Sequence, residues 1–182
     1  MRELSLHVLD ILQNSIAAGA TRIVTTVVAD EQANKLVIRI TDNGKGMSPE
    51  FLAKITDPFV TTRTTRKVGL GIPMLAAATE ASGGGLRIDS ELGRGTTVEA
   101  TFELNHIDRA PFGDIASTMI TTIIANPSIS FRYEQRLRDR EFTFDTDEVK
   151  SQLEDVSISD PLVVKWMINY ITENIASQGA IN

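Results

Sequence analysis

Leu36, Ile38 and Ile40 alternate with Val37, Arg39 and Thr41, and the strand this pattern predicts runs without a break into Asp42-Asn43-Gly44-Lys45-Gly46. A buried strand that ends on a carboxylate and two closely spaced glycines must emerge at a rim of the fold, where the backbone turns sharply. The segments on either side say what that strand packs against. Upstream, Leu6, Leu9, Leu12 and Ile16 recur at helical spacing between Leu4 and Ala18, and Gly19 is placed to close that helix in a left-handed turn. Arg22 to Ala29 is rich in Val, Ile and Thr and predicts a strand, with Asp30 to Asn34 as the polar turn that follows it. Helix and strand patterns therefore alternate from the start.

Downstream of the loop, Ser48-Pro49-Glu50 opens a short helix that Asp57-Pro58 ends. Phe59 to Val68 has no period and reads as a mobile loop; its cations Arg63, Arg66 and Lys67 read as either solvated charges or phosphate contacts. A helix is expected from Gly69-Leu70-Gly71 to Ala81, closed by Gly83-Gly84-Gly85. Leu86 to Glu91 and Thr96 to Leu104 predict a hairpin around Gly93-Arg94-Gly95, with Val98, Ala100, Phe102 and Leu104 on its buried face. The register then changes. Residues 114–125 and 161–176 are expected to be helical, with a short helix at 148–153 and a hairpin from 130–133 and 141–144. Trp166, Met167 and Tyr170 fall at helical spacing and are expected to pack in the core, a partner groove being the other reading.

Composition removes whole classes of chemistry. The chain has 182 residues and no cysteine, so disulfides, thiolate metal sites and cysteine nucleophiles are excluded. The two histidines, His7 and His106, are too few for a histidine-rich metal site. A net charge of −6 argues against nucleic acid or an anionic membrane as partner. No apolar run approaches the roughly 20 residues of a membrane span, and a cytoplasmic location is expected.

Four segments carry chemistry. Asp10 and Asn14 stand four apart on the opening helix, hence on one face. An amide oxygen such as that of Asn14 suits magnesium, and a carboxylate one turn away can orient or deprotonate a nucleophile. Asp42, at a strand end, can accept a hydrogen bond from the exocyclic amine of adenine, with Gly44 and Gly46 allowing the backbone close to a flat base; on its own, Asp-Asn-Gly is equally a turn sequence. Gly69 and Gly71 at a helix start offer amides to phosphate. Gly95-Thr96 follows a hairpin turn, where the Thr96 hydroxyl can support the adenine pocket.

In order and spacing, these four segments resemble the GHKL superfamily of DNA gyrase, heat-shock chaperone ATPases, sensor histidine kinases and the MutL repair proteins. The stretch from Leu9-Asp10 through Asn14 to Gly19-Ala20 is similar to the MutL version of the N-box. The resemblance covers Leu4 to Leu104. It implies an α+β fold, a two-layer α/β sandwich of the Bergerat type with a mixed, mostly antiparallel sheet. It implies ATP and Mg2+ as ligands, with ATP bound by Asn14, Asp42, Gly44, Gly46, Gly69, Gly71 and Thr96, and the metal by Asn14. Asp10 takes the place of the catalytic glutamate of hydrolytic members, one methylene shorter. His7, one turn earlier, is read as structural or as tuning Asp10.

The organisation expected is an ATP-binding domain over 1–104 and a helix-hairpin-helix extension over 105–182 packed on it. The function expected is that of a histidine-kinase-like ATPase domain, by slow hydrolysis or by phosphoryl transfer to a protein partner. The alternative is a non-catalytic ATP-sensing switch whose lid controls docking of a partner. Oligomerisation is left open.

Overall fold

The computed structural model describes residues 3–56, 70–179 and 181. Phe59 to Val68, with Arg63, Arg66 and Lys67, and also Gly69, lie outside the described residues.

The helices and strands expected from the sequence form, with ends displaced by a few residues. In chain order they are α1 (Leu4–Ala17), β1 (Arg22–Asp30), β2 (Lys35–Asp42), α2 (Pro49–Thr56), α3 (Gly71–Ala81), β3 (Gly85–Glu91) and β4 (Gly95–Glu103). After them come α4 (Ile115–Ala125), β5 (Ser130–Leu137), β6 (Arg140–Asp145), α5 (Thr146–Gln152) and α6 (Pro161–Gln178). Local chemistry explains the boundaries. Ser48 Oγ accepts from the Phe51 amide and starts α2 with Pro49 in its first turn. Asp114 and Asp160 cap α4 and α6 in the same way. Gly19, at φ 76°, closes the turn after α1.

The six strands make one mixed sheet in the order β3-β4-β2-β1-β5-β6. Every neighbouring pair is antiparallel except β1 and β5, which run parallel with Ile23 opposite Phe131 and Ala29 opposite Leu137. Period-2 alternation gives the sheet one apolar face, built from Ile23, Val27, Ile38, Ile40, Val98, Phe102, Phe131 and Tyr133, all buried. The helical stripes of α1, α3, α4 and α6 close over it in one continuous core. The opposite face is polar and carries cross-strand pairs: Arg39 with Glu99, Thr41 with Thr97 at 3.1 Å, and Thr26 donating to Glu134 at 3.3 Å. The result is a two-layer α+β sandwich, as the sequence implied.

Residues 105–182 extend this same sheet with β5 and β6. Their linker also finishes the first helix. Glu3 makes no side-chain cap on α1. The Leu4 and Ser5 amides donate instead to the Pro111 and Phe112 carbonyls at 3.0 and 2.9 Å. Two of the helix's free amide groups are thus satisfied by the returning chain.

Among the described residues, no helix is long and apolar enough to cross a membrane. One packing expectation is corrected. Met167 is fully buried, but Trp166 and Tyr170 are 48% and 39% exposed. Their rings stack on each other rather than entering the core. Helical spacing fixes which residues share a stripe; it does not fix how wide a stripe the sheet has room to cover.

Candidate functional site

A cleft of about 200 Å³ opens at the end of the sheet where β2 leaves it and β4 enters it, between α1, α2 and α3. Asn14, Ser15, Asp42, Gly46 and Thr96 line it, with Ile11, Met47, Ile55, Ile72 and Val98 as aliphatic walls. That composition suits a flat heterocycle with a polar edge, since apolar walls take the ring faces and a few fixed polar atoms set its orientation.

Asp42 ends β2 directly opposite Thr96 on β4. It is 8% exposed, and both carboxylate oxygens are engaged. One accepts from the Gly44 amide at 2.8 Å, the other from the Ser15 hydroxyl at 2.6 Å. Each oxygen keeps a further lone pair, so the carboxylate is fixed in direction and still able to accept a bond from a ligand N–H. Asn43 faces away from the cleft. Its Oδ1 accepts from the Thr21 and Arg22 amides and its Nδ2 donates to the Thr21 hydroxyl, which pins the loop to the start of β1.

The loop turns back at Gly46, where φ is +65° and an added Cβ would stand 2.0 Å from the Glu91 carbonyl oxygen. Only glycine fits there. The Met47 amide then donates to Ser90 Oγ at 2.9 Å, and that hydroxyl is also 2.9 Å from Thr96 Oγ1. Thr96 is therefore tied through Ser90 to the far side of the loop that holds Asp42.

Asn14 lies on the exposed side of α1 facing the cleft, and its side-chain amide makes no hydrogen bond to the described residues. Asp10, one turn earlier, packs against the first residue of α3: a Cβ on Gly71 would lie 2.8 Å from the Asp10 Cβ and 3.1 Å from Oδ2. The absent side chain at Gly71 is what lets a carboxylate sit at the amino end of α3. His7 is 3% exposed, and its Nδ1 has no hydrogen-bond partner among the described residues. Burial lowers its pKa from the ordinary 6.5, and the Asp10 charge opposes that shift. The imidazole is accordingly neutral at pH 7.

Of the residues singled out from the sequence, Asn14, Asp42, Gly46 and Thr96 line this cleft, Gly44 donates to Asp42, and Asp10 meets Gly71 at the start of α3. Gly69 lies outside the described residues. His106 is remote from it, beside Asp108 in the linker. The sequence reading missed two hydroxyls that hold the site, Ser15 and Ser90. Ser15 follows Asn14 directly, yet its bond to Asp42 spans 27 positions. Among the described residues no cluster of three or more His, Cys, Asp or Glu side chains is placed to hold a metal ion.

The family model for histidine kinase-, DNA gyrase B- and HSP90-like ATPases matches residues 2–106, more than half of the chain. Sporulation kinase C of Bacillus subtilis is 32% identical over 96 residues, which are 53% of this chain and 22% of that protein. The sensor protein kinase FleS of Pseudomonas aeruginosa is 38% identical over 108 residues, 59% of this chain and 26% of that protein. The chain thus spans only a minor part of the length of these relatives. Among solved structures, the N-terminal domain of a DNA repair protein is similar in fold at a TM-score of 0.51 and 14% identity. That likeness covers 79% of this chain and 52% of the other.

Proposed function

We propose that this chain, which belongs to the family of histidine kinase-, DNA gyrase B- and HSP90-like ATPases, binds magnesium–ATP in the cleft between α1, α2 and α3 and transfers or hydrolyses its terminal phosphate. The observation that carries the reading is the Asp42 carboxylate, fixed from two sides at the end of an aliphatic cleft. The adenine lies between the aliphatic walls with its amine on Asp42, and Thr96 supports that edge. The phosphates then run toward Asn14 and the amino end of α3, whose amides and dipole favour negative charge.

The residues present fit a magnesium ion of the kind that takes most of its ligands from phosphate and water. Asn14 offers an amide oxygen with no competing partner among the described residues, and Asn14 would hold the ion. Magnesium supplies charge neutralisation on the phosphates when bound. Asp10, held at the α3 end by Gly71, is the group placed to orient and deprotonate an attacking hydroxyl or water. Two kinases among the relatives favour a protein acceptor over water.

Radiolabelled ATP tests all of this. Asp42→Asn should weaken magnesium-dependent ATP binding by about tenfold to a hundredfold. Asp10→Asn should keep the affinity within a few-fold but slow phosphate release or transfer by about 10²–10⁴. Wild-type protein that binds no ATP with magnesium, or an Asp42→Asn variant that binds as well as its parent, ends the reading. Tight binding with neither release nor transfer leaves the nucleotide-sensing switch.

A further inference from the structure

A cleft at the other end of the sheet has a different character. It measures about 390 Å³ and lies between α5 and α6 along β6. One wall is aromatic. Trp166 and Tyr170, one turn apart on α6, stack with centroids 5.1 Å apart and planes 18° from parallel. Tyr170 is anchored from inside by Phe142 and Phe144, at 5.8 and 6.3 Å. The outer ring faces remain in water, with Trp166 about half exposed. The facing wall is α5, which presents Glu148 to the cleft.

Charge distribution sets this region apart. Residues 139–173 hold nine Asp and Glu against three Lys and Arg, a net −6, the same as the entire chain. Two of those three cations are occupied, Arg140 with the Ser177 carbonyl and Lys150 with the Ile129 carbonyl. Asp145 and Glu141 are matched by arginines of the sheet. Glu148, and Glu154 and Asp155 in the turn after α5, have no ion pair among the described residues. β6 is also the last strand in the sheet order, so its outer backbone groups have no strand partner among the described residues.

From this we infer that the α5–α6 cleft is a docking site for a basic, extended segment of a partner protein. An Arg or Lys side chain of that segment lies on the Trp166 and Tyr170 ring faces, where the ring quadrupole attracts a cation. Its charged head is met by Glu148, and Glu154 and Asp155 extend the complementary field. The segment's backbone pairs along the edge of β6, which gives attachment without sequence preference, while the aromatic wall supplies the selection. Acidic segments and nucleic acid are repelled by the same field. The site shares no residue with the nucleotide cleft, so the two stand or fall separately.

Trp166 is the only tryptophan in the chain, which makes its emission a direct reporter. The full chain is titrated with peptides of about eight residues, long enough to lie along a strand. Their sequences alternate Leu with Arg, Leu with Glu, or Leu with Ser. The Arg peptide is expected to shift the emission saturably, while the Glu and Ser peptides bind at least about tenfold more weakly. In a parallel assay by anisotropy of a labelled Arg peptide, Glu148→Arg and Trp166→Ala should each lose about tenfold or more in affinity. Both variants should keep the wild-type circular dichroism spectrum and a cooperative melt, which shows that they are folded.

Equal binding of the Arg and Glu peptides, or Arg-peptide binding untouched by both substitutions, overturns the proposal. So does a self-association, seen by sedimentation, that Trp166→Ala abolishes while no peptide is preferred. The occupant would then be a second copy of the chain.

Discussion

The two ends of the sheet are built from different materials. Ten of the twelve glycines lie in residues 1–104, and seven of the ten aromatic residues lie in 105–182. The first region spends its sequence on close backbone approach, as where β2 leaves the sheet and where α3 begins. The second spends it on volume: Phe131 and Tyr133 are fully buried, and Phe142 and Phe144 lie just beneath the α6 aromatics. The glycine turns that set the polar edge of the nucleotide cleft have no rotamers to lose when a ligand enters, although its walls are larger side chains such as Ile11, Met47 and Ile55. A wall of large side chains supplies cohesion and contact area. The difference assigns the chemistry to one end and the cohesion to the other, although a single core joins them.

The sharpest way to break that contrast is to cut it. A chain ending at Leu104 loses α4 from the flank of α1, loses the carbonyls that cap α1, and uncovers Ile23 and Val27. It should be largely unfolded by circular dichroism at 25 °C; a cooperative melt with retained ATP binding would show that the first region stands by itself. Next in size, Phe131→Ala removes a fully buried ring and should cost about 3–5 kcal/mol in denaturant melts. In the surviving folded fraction its ATP affinity should be unchanged, and a matching loss of affinity would contradict the division of labour.

Gly46→Ala should have the reverse profile. Positive φ and the Glu91 carbonyl together should cost about 2–3 kcal/mol and move the loop that carries Asp42. ATP binding therefore falls by more than the stability loss explains. The smallest effect is at His7. Its pKa is lowered in the folded state, so the unfolded chain binds the extra proton first. Stability from this group is complete above the ordinary value of 6.5 and is lost as pH falls from there through the lowered folded value. His7→Leu should flatten that part of the stability–pH curve, and an unchanged slope would mean the imidazole reaches solvent.

Much of this was legible in the sequence because it is local. Alternation at Leu36, Ile38 and Ile40, the Ser48-Pro49 helix start and the Gly19 stop each act within a turn or two of chain. The grouping of Asp10 and Asn14 follows from helical spacing in the same way. What sequence did not reveal depends on partners far away. Nothing in Ser130 to Leu137 announces that it pairs in parallel with β1, because strand alternation carries no label of its neighbour. The Ser15 bond to Asp42 and the contact of Asp10 with Gly71 likewise exist only after α1 is laid on the sheet. Trp166 and Tyr170 could be placed on a stripe but not on its exposed margin, since that margin is set by where β6 ends the sheet.

The parallel pairing of β1 with β5 also has a consequence in time. Ile23 and its partner Phe131 are separated by more than a hundred positions. At ordinary elongation rates, on the order of ten seconds pass between their emergence from a ribosome. During that interval β1 has been made and its neighbour on one side has not. A run of Ile, Val and Thr then waits with a bare hydrogen-bonding edge, the kind of edge that recruits strands from other nascent chains. β5 is the strand that covers this edge, and β1 stays open to such pairing until it arrives.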